Sequence, residues 1–437
     1  MDLTEAQQAA CRARGNVLVV AGAGTGKTRT LVERCLSCLL EERPRVSLNE
    51  LLLVTFTEAA AAEMRQRVRA RLEEQAVRQP QDRHWTEQLA LFETAQIGTL
   101  HAFCLQLVRH HFYQLGLDPQ LAVLPEEEAR LMAEETLDAL FHKYYAGRGP
   151  TAEAVQELIQ AQGRGRDQPL RALVLRLHDY CQTQPNPAGW LEKQIAAFSE
   201  TEPRLWRTWL FDALAEWRET WPPVLETESD LSPQSWAEAL RQLAVRPSPK
   251  DAAPVLASIL ASQERPLKKR KTSPKPSDRF LAEVEFLASL CPADLKQGVA
   301  QIEPLAEDWN WVRPQMLTLF QLTEEFTAAF SDAKRESGMV DFHDLEQHAL
   351  ALLWDFKTNQ PTALALLWRR KLRFVFVDEY QDINAAQDKI IAALSRGGAE
   401  ANRFLVGDVK QSIYRFRLAN PYIFQDYLRD RLNLDTA

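Results

Sequence analysis

Four short stretches of this chain are apolar at nearly every position: NVLVVAG (16–22), LLLVTFT (51–57), FVFVDEY (374–380) and RFLVGD (403–408). A strand with one solvated face alternates apolar and polar residues. Runs that do not alternate predict strands of a parallel sheet covered on both faces. Each run leads into a helical pattern or a polar turn. The first pair and the last pair are far apart in sequence, and the stretch between them has a different period. In PEEEARLMAEETLDALFHKYY (125–145), the helical repeat puts Leu131, Leu137, Leu140, Phe141 and Tyr144 on one face, and acids crowd the first turn. Similar patterns follow at 151–161, 169–181 and 204–217, and no strand pattern stands out from about 110 to 325. The expected fold is therefore an α/β domain with a parallel sheet, interrupted by a large all-helical insertion. Its expected boundaries are 1–110 and 326–437 for the two parts of the α/β domain and 111–325 for the insertion.

The chain has 437 residues, 46% of them hydrophobic and 26% charged, enough for a sizeable core and too ordered in composition for a disordered chain. Its net charge of −8 argues against a uniformly basic nucleic-acid coat but leaves room for a local groove. A basic, proline-rich stretch, RPLKKRKTSPKPSD (265–278), reads as a solvated loop, with contact to a DNA backbone as the alternative. Six scattered cysteines and the lack of a leader pattern predict reduced thiols and a cytoplasmic protein. No apolar run approaches the ~18 residues of a membrane span. Cys35 and Cys38 form a C-x-x-C on a helical pattern and read as small buried thiols rather than metal ligands.

Candidate chemistry sits where the first and third runs end. In AGAGTGKT (21–28), Gly22, Gly24 and Gly26 would let backbone N–H groups wrap phosphate oxygens. Lys27 would reach the β- and γ-phosphates, and Thr28 would put its hydroxyl on Mg²⁺. Ala21, where a strict phosphate loop has its first glycine, is the one departure. Ala23, Thr25 and Arg29 complete the expected nucleotide cradle. In FVFVDEYQD, Asp378 ends a strand and would hold the same Mg²⁺ through its water shell. Glu379 would orient or deprotonate the attacking water.

Several stretches together resemble the superfamily-one, UvrD/RecB-type DNA helicases, with most likeness to the AddA-type chains of AddAB helicase–nucleases. They are VTFTEAAAAEMRQRV (54–68), GTLHAFC (98–104), VDEYQDIN (377–384) and VGDVKQSIYRFR (406–417). Supporting likeness runs through LGLDPQLAVLPEEEARLMAEETLDALF, LRALVLRLHDYCQTQPNPAGWL and AKRESGMVDFHDLEQHAL, and is weakest at about 200–300. The resemblance implies a RecA-like P-loop NTPase domain that uses ATP and Mg²⁺. It implies that Gln7, in LTEAQ, reads the adenine edge and that Gln411 senses the γ-phosphate. Phe56, Thr57, His101, Tyr414 and Phe416 would line a groove for single-stranded DNA. Aromatic rings stack on any base without reading sequence, and Arg415 and Arg417 would hold phosphates alongside.

By the same resemblance, the chain is expected to act on single-stranded DNA and duplex ends. The expected activity is 3′-to-5′ translocation in double-strand-break repair and recombination, near the bacterial nucleoid. No membrane is expected, and the implied partner is a second, AddB-like subunit. A second RecA-like domain and a nuclease would have to be supplied in cis or trans. An arginine finger from such a domain is worth about 10³ to 10⁵ in rate. The expectation is thus a front half that binds Mg·ATP and turns it over slowly alone. The alternative is a non-catalytic, nucleotide-responsive module that binds single strands or docks a partner.

Overall fold

The structure, a computed structural model, describes residues 3–22, 24–228, 231–262, 276–291, 304–408 and 418–434. Two compact units emerge: residues 1–148, 159–191 and 322–437 form one, and 149–158 with 192–321 form the other.

The first unit is built on a five-stranded sheet. Helix α1 (Glu5–Arg12) leads into β1 (Val17–Val20), and α2 (Lys27–Glu41) follows. Next come β2 (Leu51–Thr55), α3 (Glu58–Arg78), β3 (Gln96–Thr99) and α4 (Leu100–His110). Far along the chain come α5 (Phe342–Leu353), β4 (Phe374–Val377), α6 (Ala385–Leu394) and β5 (Arg403–Gly407). The order is β1–β5–β4–β2–β3, with all pairings parallel. This is the α/β fold that the apolar runs predict.

Residues alternate between faces, so each run supplies two cores. Leu52, Val54, Val375, Val377 and Leu405 pack with α4, α5 and α6. Leu51, Leu53, Phe376, Phe404 and Val406 pack with Leu31, Cys35 and Leu39 of α2 and Met64, Val68 and Leu72 of α3. That double burial explains the lack of alternation in the sequence. Cys35 and Cys38 are fully buried within the second core, and burial pushes both thiols up, Cys38 to about 12. All six cysteines are free thiols.

Three expectations need correction. Val17–Val20 is an edge strand and not buried on both faces, with Val20 half exposed, because it has one neighbour only. A fifth strand, Gln96–Thr99, gave no apolar run: QIGT is short, with a glycine and two polar residues, and occupies the opposite edge. Leu131 is exposed, whereas Leu137, Leu140, Phe141 and Tyr144 of the same helix (Glu126–Ala146) are buried. A two-residue parallel bridge, Ala122–Val123 with Met339–Val340, adds a minor pairing within the region expected to lack strands.

His178, on the helix Gln168–Gln182, is buried against Phe326 and Phe330. Thr327 donates its hydroxyl to the Thr323 carbonyl (2.7 Å), so His178 Nδ1 must be the donor in its 2.8 Å bond to Thr327 Oγ1. Burial, reinforced by Lys334, lowers the imidazole to about 3. An unfolded histidine takes up its proton near pH 6.5. Acid therefore protonates the unfolded chain first. The stability carried by neutral His178 is present above that pH and is lost as pH falls toward the folded value. The expected loss at pH 5 is about 2 kcal/mol. Urea unfolding at pH 7 and pH 5 measures it, and His178→Gln should shrink the difference. An equal pH dependence in the variant would assign it to other groups.

The second unit is helical. Helices Arg204–Leu225, Leu231–Gln242, Pro249–Ala261 and Pro276–Leu290 enclose a core of Leu214, Trp217, Trp221, Trp236, Leu256 and Phe280. The Phe280 ring stacks parallel to Trp217 at 5.7 Å. Most of the basic stretch (263–275) lies outside the described residues. Among the described residues, no helix is long and apolar enough to cross a membrane.

Candidate nucleotide and nucleic-acid site

All five strands are parallel, so their carboxyl ends share one edge. The register pairs Val20 with Gly407, Val54 with Val377 and Thr55 with Thr99. The first residues past those ends are Ala21, Phe56, Leu100, Asp378 and Asp408, which brings the sequence-predicted groups to one rim.

The phosphate loop joins β1 to α2. Ala21 N–H still follows the sheet, donating to the Gly407 carbonyl (3.1 Å). Gly24 and Gly26 have φ of 73° and 83°, a left-handed backbone that favours glycine. Thr25 Oγ1 closes the loop on the Gly22 carbonyl (2.8 Å). Gly26 then caps α2, whose first turn carries Lys27, Thr28 and Arg29 with its N–H groups and positive dipole end at the loop. A Cβ at Gly26 would come within 3.2 Å of Gln7 Nε2.

Gln7 is tied from both ends of its amide. Its oxygen accepts from Thr4 N–H (2.9 Å) in a capping box that starts α1, and its nitrogen donates to the Thr25 carbonyl (2.9 Å). Gln7 thus braces the loop. Each amide end still has a second lone pair or hydrogen to offer a base.

Lys27 and Thr28 face Asp378 and Glu379. Lys27 Nζ lies 3.0 Å from Glu379 Oε2, and Thr28 Oγ1 donates to Asp378 Oδ2 at 2.8 Å. Lys27 and Asp378 are both buried. Asp378 N–H donates to the Val54 carbonyl (2.9 Å), continuing the ladder, so the strand itself aims the carboxylate. Burial pushes this carboxyl above the usual aspartate range, against the pull of the Thr28 hydroxyl. Asp382, in the same turn, is raised by burial and by Glu379. Three acids sharing one turn favour an added cation.

The donor chemistry fits magnesium. Thr28 spends its one hydrogen on Asp378 and keeps oxygen lone pairs, and Asp378 is a hard carboxylate beside it.

Glu379 adopts a left-handed backbone, with φ 52° and ψ 42°, unusual for a residue with a side chain. It is held there by Gln381, which the motif reading missed. Gln381 Nε2 donates to Glu379 Oε2 (2.8 Å), and its oxygen accepts from Asp408 N–H (2.9 Å), so a buried amide joins the acid turn to the end of β5. Gly407 permits this approach: a Cβ there would lie 2.7 Å from Gln381 Oε1 and 2.6 Å from the Phe424 ring.

The residues assigned to a strand groove divide. Phe56, half-buried, leaves β2 and packs on the core beneath. Thr57 caps α3, accepting from Ala60 N–H (3.2 Å). His101, in the first turn of α4, pairs with buried Glu346 (2.7 Å) and touches Phe342, an exposed ring 4.9 Å away that the sequence reading did not single out. Ala23, Gln411, Tyr414, Arg415, Phe416 and Arg417 lie outside the described residues.

A phosphate loop and an acid pair at the carboxyl edge of one parallel sheet define a P-loop NTPase of RecA type. The chain belongs to the UvrD/REP helicase family, whose N-terminal domain matches residues 3–431. It is 36% identical, over 96% of its length, to the AddA-type chain of the ATP-dependent helicase/nuclease of Desulfitobacterium hafniense (strain DSM 10664 / DCB-2), of which it covers 32%. The corresponding chain of Heliobacterium modesticaldum is 35% identical over 99% of this one, with 34% of that protein covered. For Bacillus cereus (strain ATCC 10987 / NRS 248) the figures are 34%, 96% and 36%. The chain thus spans about a third of the length of these curated relatives.

Proposed function

We propose that this chain is the ATP-binding front portion of a UvrD-type, AddA-like DNA motor, which binds Mg·ATP between the phosphate loop and the acid turn and grips single-stranded DNA along the same rim. The observation that carries the reading is the pairing of Lys27 with Glu379 and of Thr28 with Asp378, across most of the chain's length. In this reading, Lys27 exchanges Glu379 for the β- and γ-phosphates, which frees the Glu379 carboxylate to orient water. Thr28 and Asp378 would hold Mg²⁺, which supplies charge neutralisation at the phosphates. Arg29 and the loop residues 21–26 complete the cradle, Gln7 meets the adenine, and Gln411 reports the γ-phosphate.

Phe56, Thr57, His101, Tyr414 and Phe416 form the proposed single-strand groove, with exposed Phe342 extending its aromatic edge. The gathering of helices 192–321 into their own unit supports a helical insertion at about 111–325 between the two parts of a RecA-like domain. The relatives are named as one of the subunits of ATP-dependent helicase/nucleases, which supports action on DNA ends together with a second, AddB-like subunit. The 3′-to-5′ polarity, break repair, a cytoplasmic location at the nucleoid and slow turnover by these residues alone are inferred from the family resemblance.

Equilibrium titration with a fluorescent ATP analogue, with and without Mg²⁺, tests the site. Binding should tighten with Mg²⁺, and Asp378→Asn should erase most of that gain. Binding indifferent to both the metal and the substitution would remove Asp378 from the nucleotide site.

A further inference from the structure

Glu346 is nearly fully buried, yet it is a carboxylate in the apolar stripe of α5, beside Leu345, Ala349 and Leu350. Isolated buried charge is costly, so its partners decide what it does. Oε1 accepts from His101 Nε2 (2.7 Å) and Gln387 Nε2 (2.7 Å), and Oε2 accepts from Asn384 Nδ2 (3.1 Å). Burial pushes the carboxyl up, but the bond and charge of His101 lead a set of interactions that bring it below the usual glutamate range.

The two amides cannot turn over to suit another side chain. Asn384 Oδ1 accepts from Gln387 N–H (2.8 Å), and Gln387 Oε1 accepts from Asn384 N–H (3.1 Å), the reciprocal cap that begins α6. With both oxygens committed, both amides present N–H toward position 346. Only a group that accepts everywhere fits, which is a carboxylate. Of its three partners, His101 alone is free of the cap. Asn384 also closes the turn that starts at Asp378 and Glu379, a turn whose Tyr380, Gln381 and Ile383 are buried and therefore stiff.

We propose that Glu346 is a positioning residue: anchored by the cap after the acid turn, it aims His101 at the single strand and so ties the strand's grip to the nucleotide site. The inference rests on the reading that His101 lines the groove. It adds the residue that orients His101, and a physical link from that residue to the turn carrying Glu379.

Glu346→Gln is the sharp test. The amide keeps the volume but places an NH₂ against at least one fixed donor, and His101 is the partner able to yield. Affinity of the full chain for a fluorescein-labelled oligothymidylate is measured by anisotropy, alone and with a non-hydrolysable ATP analogue. Glu346→Gln is expected to weaken binding about tenfold, the scale of one charge-assisted hydrogen bond. His101→Ala should weaken it similarly, and the double variant should be no worse than His101→Ala alone, because both remove one interaction. The ratio of affinities with and without the analogue should move toward one in Glu346→Gln.

Thermal unfolding of each variant separates loss of fold from loss of aim. A lowered midpoint with unchanged oligonucleotide affinity would make Glu346 a purely structural cross-link and overturn the proposal. Additive losses in the double variant would overturn it as well. If Glu346→Gln matches the wild type while His101→Ala binds weakly, the positioning role falls and the groove stands. If His101→Ala binds as the wild type does, the groove reading of His101 falls, and this proposal with it.

Discussion

Glu379→Gln is expected to slow single-turnover ATP hydrolysis by on the order of 10² to 10⁴, the range that a positioned general base contributes. The substitution is nearly isosteric. The amide oxygen can still accept from Lys27 and Gln381, which now meet Glu379 Oε2 at 3.0 and 2.8 Å. The left-handed backbone at 379 is the same for either side chain. What is lost is a carboxylate that can orient water and take up its proton, so affinity for the nucleotide should change far less than the rate. Single-turnover measurement with radiolabelled ATP suits a slow reaction. An unchanged rate would assign the water to another group, and Asp382, in the same turn, would be the next to substitute.

Lys27→Ala is expected to weaken binding of the ATP analogue by on the order of 10² to 10³, comparable to removing one preorganised donor from an anion site. Lys27 is buried at the start of α2, where its ammonium adds to the loop N–H groups and the helix dipole. Truncation also strips Glu379 of its cation, leaving three acids at the rim to repel an incoming triphosphate. Lys27→Arg should recover only part of the affinity, because a planar fork replaces a point charge in a fitted space. Titration calorimetry with Mg·ATP reads the loss. Wild-type affinity in Lys27→Ala would show that the loop does not hold the phosphates through this residue.

Gln381, Gly407 and Glu346 show where reading along the chain stops. Each is defined by what lies across a gap in sequence: Gln381 by Glu379 and Asp408, Gly407 by Gln381 and Phe424, Glu346 by His101, Asn384 and Gln387. Glu346 does carry a sequence signal, an acid inside the apolar stripe of FHDLEQHALALL, but the stripe does not name the donors that would satisfy it. Phe342 was equally open to view as an aromatic, and only its exposure beside His101 gives it meaning.

The sequence by itself determined the central strands, the glycine loop and the acid pair. Continuous apolar runs require a sheet covered on both faces, and parallel strands deliver whatever follows them to one edge. Local chemistry sufficed there because backbone geometry carries those side chains to their places. Only the tertiary structure decided that β1 is an edge strand, that QIGT is a fifth strand, and that Leu131 faces solvent while Leu137 is buried. It also decided which donors surround Glu346. Periodicity gives the faces of an element, but the neighbours that cover those faces come from distant parts of the chain, and burial and hydrogen-bond partners are properties of that meeting.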